Sequence, residues 1–240
     1  MSKVERWAVS GPPSIGGAVR SATFDFYYHS WRLVPANVIW GIGLLLVLTA
    51  GLIWLPGAVL LAGALAVPAI GVHRLAALIV RGDDVVLSDA FSAYRRLLGP
   101  ALLVGALGIG GTLVLAVNVV AGITVMGGPM GWALATAAAW GLVFLWAWLI
   151  AACSLVADPR RDDDSLAARF RLAALLLLAY PLRMGGLLAV SVVVVTVSLV
   201  LFAAIVTISI AYCALVASRY VLPAADCLQG RATQPTVDVD

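Results

Sequence analysis

The chain has 240 residues, 63% of them hydrophobic and only 11% charged, with a mean hydropathy of +1.06 and a formal net charge of +3. A soluble domain is nearer half apolar and a quarter charged, so one core of this size cannot bury the excess and lipid must cover it. Cys153, Cys213 and Cys227 stand apart in the sequence, which excludes a disulfide framework or a cysteine metal site.

The first 30 residues carry Glu5, Asp25 and several aromatics in place of a short apolar run, so no cleavable signal peptide is expected. Phe24, Tyr27, Tyr28 and Trp31 recur at helical spacing, which predicts an interfacial helix within residues 1–32. No charged residue lies between Leu33 and Val72. That run is about twice the ~20 residues a membrane helix needs. Pro56 and Gly57, just after Trp54, divide it into spans at about 33–54 and 57–79.

Arg81, Gly82, Asp83 and Asp84 then form a charged turn, with Ser88 as the expected N-cap of a second interfacial helix bearing Leu87, Phe91, Tyr94 and Leu98. The next charge-free run, Leu97 to Ala157, is split by the turn-forming stretch from Thr124 to Gly131 into spans at about 99–122 and 131–155. Arg160, Arg161 and the acidic run Asp162 to Asp164 follow; the run could bind a cation but, flanked by arginines, reads as a solvated loop and helix start. Ser165 then caps a third interfacial helix with Leu166, Phe170, Ala173 and Leu177 on one face and Arg169 and Arg171 towards headgroups.

The last run, Met184 to Ser218, has no Gly or Pro between Gly186 and Pro223 and reads as one long helix at about 186–217. Residues 223–240 read as a polar flexible tail. The fold class expected is therefore all-α: a polytopic bundle of five transmembrane helices plus three cytoplasmic interfacial amphipathic helices. Segments 1–32, 73–96 and 158–183 share one side and hold 13 of the 15 Lys and Arg residues. The positive-inside rule makes that side cytoplasmic, with the N-terminus inside and the C-terminus outside.

Polar or helix-bending residues within or beside the spans are the candidate sites. Asn37 and Asn118 are amides that bond neighbouring helices or meet a polar solute. Pro68 kinks the second span and frees a carbonyl. His73 and Arg74 sit at its end, where they pack and snorkel, or sense pH and hold an anionic headgroup. Gly105, Gly108, Gly110 and Gly111 on span three and the similar small stripe Ala58, Ala62 and Ala66 on span two predict close packing of spans two and three, within one chain or across an oligomer.

Several of these residues stand in a recurring order. An Asn-x-x-Trp (Asn37, Trp40) opens the first span, and Ala66, Val67, Pro68 and Ala69 lie in the second. The turn Arg81, Gly82, Asp83 follows, then a helix with Asp89, Phe91 and Tyr94, then Asn118 in the third span, and later Tyr180 and Pro181. In this order and spacing the chain resembles the YesL-like family of bacterial integral membrane proteins, which is built on a domain of unknown function. The resemblance implies residence in the bacterial inner membrane and a context of carbohydrate uptake. It brings no catalytic, metal or cofactor-binding residue.

The expected function is a non-enzymatic accessory or regulatory partner of a carbohydrate uptake system; the alternative is a small autonomous transporter or channel acting as a homo-oligomer. Expected partners are the lipid bilayer, uptake permease subunits or further copies of the chain, and not nucleic acid. No cofactor is expected.

Overall fold

The computed structural model describes residues 13–230, so the first twelve residues of the expected N-terminal segment and the end of the expected tail, Arg231 included, lie outside the described residues. Nearly every described residue is helical and none is in a strand. Among the described residues six helical segments are long and apolar enough to cross a membrane. The chain is a multi-pass membrane protein.

Helix α1 runs unbroken from Ile15 to Ile53, with Ser14 as N-cap accepting from the Gly17 N–H at 3.1 Å. The expected separate interfacial helix within residues 1–32 is therefore the first part of α1. Its aromatics do not fold back onto the bundle: Tyr27 and Trp31 stay 76% and 66% exposed, the placement expected of an interfacial aromatic girdle. At Trp54 the backbone becomes extended, and Pro56 lies in the first turn of α2 (Leu55–Ala64), closing the predicted hairpin.

The second span is bent. α2 gives way to α3 (Ala66–Arg81) at Leu65. Pro68 has no N–H to donate to the carbonyl of Ala64, so the ladder loses a rung where the helix bends. Helix α4 (Leu87–Arg96) lies across the end of α3. Its N-cap is Val86, not the expected Ser88, and the Asp89 carboxylate accepts from the Val86 N–H at 2.8 Å. Helices α5 (Leu98–Ala121) and α6 (Gly128–Val156) form the second hairpin, close to the expected bounds. A π-helical turn from Gly122 to Met126 leads into Gly127 and Gly128, both at positive φ (58° and 59°). Only glycine adopts that backbone without strain.

A single helix over 186–217 does not form. α8 (Pro181–Val200) ends at Leu201, where φ −96° and ψ 64° leave the helical region. A short helix α9 (Phe202–Ala204) and a π-helical turn (Ile205–Ser209) then lead into α10 (Ile210–Leu228). The chain doubles back: the Cys213 thiol reaches the Ser191 carbonyl at 4.0 Å. A straight helix over those residues would run to about 48 Å, well beyond the ~30 Å hydrocarbon core. Folding back buries the second half instead. The span that ends in α10 is the central one, with 67% of its apolar window buried against 17–39% for the other five.

This reversal moves two further boundaries. The tail does not begin at residue 223, because Leu222, Ala224 and Ala225 are fully buried in α10. The end of α10 also returns to the end of the bundle where α1 begins, since Arg219 pairs with Asp25 at 2.6 Å. Among the described residues the span-length helices number six rather than the expected five, and both described ends lie at one end of the bundle. Reporter tags attached before residue 13 and after Gly230 are expected to report the same side of the membrane. Tags on opposite sides would restore the five-span arrangement.

The core sits at this same end. Leu33, Leu75, Leu155, Leu176, Met184, Leu215 and Tyr220 meet there from six helical segments. The far ends of the hairpins, around Trp54, Met126 and Leu201, carry no charge and are largely exposed. Helix α7 (Leu166–Ala179) completes the charged end, with Ser165 as its N-cap, as expected, accepting from the Ala168 N–H at 3.2 Å.

Candidate functional site

The residues singled out in the sequence do not converge. Asn37 is fully buried and bridges α1 to the last span: its amide donates to the carbonyls of Ile205 (3.3 Å) and Val206 (2.7 Å), and its oxygen accepts from the Ala211 N–H at 2.8 Å. These are backbone groups around the π-helical turn, where the ladder shifts register and leaves groups in need of partners. Gly41, one turn further on, lets the helices touch: a Cβ there would lie 2.8 Å from the Cα of Val206. Trp40 is half-buried beside them. Asn118 bonds its own helix at the Val114 carbonyl (2.9 Å).

His73 is buried against α6, 3.5 Å from the Ser154 hydroxyl, which lies 3.1 Å from the Ile150 carbonyl. Phe91 is exposed and packs edge-on to Tyr94 at 5.5 Å. The Tyr94 ring covers Gly71, leaving no room there for a Cβ. Its hydroxyl is buried without a partner, and burial pushes the phenol above its ordinary pKa. Asp83 is exposed.

Arg81 is where charge gathers. It is the last residue of α3, and Gly82 follows at φ 74°, a left-handed C-cap that turns the chain sharply. The guanidinium is thereby held over the end of the bundle. Its Nε and Nη2 donate to Asp158 at 3.1 and 2.5 Å, and its Nη1 donates to Asp226 at 2.5 Å. Arg161 closes the ring from the other side: Nε to Asp158 at 3.1 Å, Nη2 to Asp226 at 2.6 Å, and Nη1 to the Gln229 amide oxygen at 2.5 Å. The four side chains are between 0% and 6% exposed. Two positive and two negative groups alternate, so the cluster is neutral. Every carboxylate oxygen accepts from a guanidinium.

The cluster joins the returning helix of each hairpin. Arg81 ends α3, Asp158 and Arg161 lie just beyond α6, and Asp226 and Gln229 lie at the end of α10. Asp158 also caps the short 3-10 turn Pro159–Arg161 by accepting from the Arg160 N–H. A second layer surrounds it. Arg74 grips Asp162 with two bonds (3.0 and 2.8 Å), and Arg96 reaches the same carboxylate at 3.2 Å. Asp162 is thus an ion-pair partner, a correction to its reading as part of a solvated acidic loop.

Arg169 likewise faces inward, not towards headgroups. It donates to the carbonyls of Val156, Asp162 and Asp164. Cations suit the end of α6, where backbone carbonyls lack helical partners. Burial lowers the Arg169 pKa, against the opposing pull of Asp162 and Asp164.

Sequence reasoning identified Arg74 and Arg81 but missed Asp158, Arg161, Asp226 and Gln229 as a site. One signal was present. Asp226 is the lone acid between Asp164 and Asp238, and an acid after a long apolar run calls for a partner.

Chemically, the arrangement is a clamp. Its carboxylates are occupied by guanidinium donors, and His73, Cys153 and Cys213 lie elsewhere in the core. Among the described residues no His, Cys, Asp or Glu side chains are grouped to hold a metal ion. No family model, curated protein or solved structure matches this chain.

Proposed function

We propose that this chain is a YesL-like, non-enzymatic protein of the bacterial inner membrane that acts as an accessory or regulatory partner of a carbohydrate uptake system. Its charged end faces the cytoplasm, and both described ends of the chain lie on that side. The support for this orientation is that every Arg among the described residues belongs to the end of the bundle bearing α4 and α7, while the hairpin tips hold none.

The observation that carries the partner role is the surface that α4 adds to that end. Val86 and Phe91 are 57% and 46% exposed beside the exposed Arg95 and Arg96, the latter also paired with Asp162. An aromatic and an aliphatic side chain ringed by arginines make a hot-spot-like patch for a partner helix. The clamp beneath holds that surface on a rigid base. The polar groups of the spans favour a structural part over a solute path. Thr49, Asn118, Thr124, Ser191 and Thr207 each bond a carbonyl of their own helix.

Affinity purification from native membranes after mild cross-linking, read by mass spectrometry, tests the reading. Uptake permease subunits are expected at near-equal amounts, and F91A/R95A should reduce their recovery at least tenfold. Recovery of this chain alone, in a defined oligomer, would favour the autonomous transporter or channel.

A further inference from the structure

Helix α7 carries two unlike faces, and only one is used by the bundle. Arg169, Leu172, Ala173 and Leu176 point inward. Arg171, Leu175 and Leu178 point outward, and Leu175 and Leu178 are 45% and 77% exposed. Beside this outer face, between α7 and the end of α10, lies an open groove of about 380 Å³. Its lining includes Leu175, Ala179 and Leu228, with Arg171 and Gln229 as its polar residues.

Arg171 differs from its neighbours. Arg74, Arg81, Arg161, Arg169 and Arg219 all bond carboxylates or carbonyls within the chain. Arg171 is exposed and makes no such bond among the described residues. The groove thus pairs an apolar trough with one uncompensated positive charge, at the end of the bundle where the ionisable residues gather. An amphiphile with an anionic head and an acyl tail complements both features; a basic pocket between membrane helices suits such lipids.

We propose that the α7–α10 groove binds an anionic phospholipid, with its phosphate on Arg171 and an acyl chain against Leu175, Ala179 and Leu228. The site needs only the membrane placement of the chain and is independent of the accessory role. It gives the end of α10 a lipid contact directly beside Gln229, which itself holds Arg161.

The test uses the full-length protein in mixed detergent micelles containing either phosphatidylglycerol or phosphatidylcholine, with bound lipid counted by native mass spectrometry. Retention of phosphatidylglycerol is expected to exceed that of phosphatidylcholine about fivefold, the effect of one arginine near the surface. R171Q is expected to bring the ratio to about one, while R95Q on α4 leaves it unchanged. Equal retention of the two lipids by the native chain overturns the proposal, as does an unchanged preference in R171Q. Retention that is equal for both lipids and rises only when residues 231–240 are removed also overturns it, assigning the groove to the chain's own C-terminal segment. A lipid-free dimer lost in R171Q overturns it in favour of a second copy.

Discussion

Replacing Arg81 with Met is expected to destabilise the protein by about 3–5 kcal/mol, the usual cost of removing one partner from a buried ion pair. The substitution keeps the apolar stem and removes the charge. Asp158 and Asp226, both buried, then share Arg161 alone, and the cluster carries a net negative charge where water is excluded. The thermal midpoint in detergent should fall steeply, or the cooperative transition should vanish. R95Q, on the exposed face of α4, should stay within about 0.5 kcal/mol of the native chain.

The companion variant R81M/D226L leaves the neutral pair Asp158–Arg161. It should recover about 1–3 kcal/mol relative to the sum of the two single changes, because coupled charges are not additive. If R81M melts with R95Q, the four side chains do not act as a clamp.

That clamp explains which parts of the architecture were legible in the sequence. Charge-free runs mark lipid because the bilayer penalises every ionisable group within it. The first two hairpins turn at Pro56–Gly57 and Gly127–Gly128, residues that announce a break. The third turns at Leu201, with no Gly or Pro to mark it, and hydropathy alone cannot distinguish one long apolar helix from two packed ones.

The decisive information lay further along, in Asp226. Its partners Arg81 and Arg161 stand 145 and 65 residues earlier in the chain, and only the reversal at Leu201 brings it to them. Asn37 was legible as a buried amide. Its bonds to the backbone around the π-helical turn were not, because those groups come free only where the helix changes register. The same holds for Arg169, whose spacing is amphipathic but whose partners are backbone carbonyls at and just beyond the end of α6.

The glycines of α5 permit a sharper prediction, because the sequence shows five of them and the packing sets them apart. Gly105 lies where α5 crosses α2, and a Cβ built on it would run into the carbonyl oxygen of Gly63 and stand 3.0 Å from the Cβ of Ala66. The obstructing atom is backbone, so no rotamer change relieves it. Gly105→Ala must push two helices apart, and Gly105→Leu pushes them further. Overpacking of this kind costs about 1–3 kcal/mol and sometimes more. In lipid, close backbone approach supplies much of the attraction between helices, so the loss is felt directly.

Gly110 meets nothing within 4 Å, and a Cβ on Gly63 itself stands 3.9 Å from its nearest neighbour across the crossing. Gly110→Ala and Gly63→Ala should therefore melt at or above the native midpoint, since alanine is the better helix former by up to about 1 kcal/mol. The crossing is asymmetric, so the two glycines that meet there should respond in opposite directions. Equal losses at Gly63 and Gly105 would mean that α2 and α5 do not cross at these residues. A loss confined to Gly105 would place the second and third spans in backbone contact, the close packing that the small residues of both helices foretell.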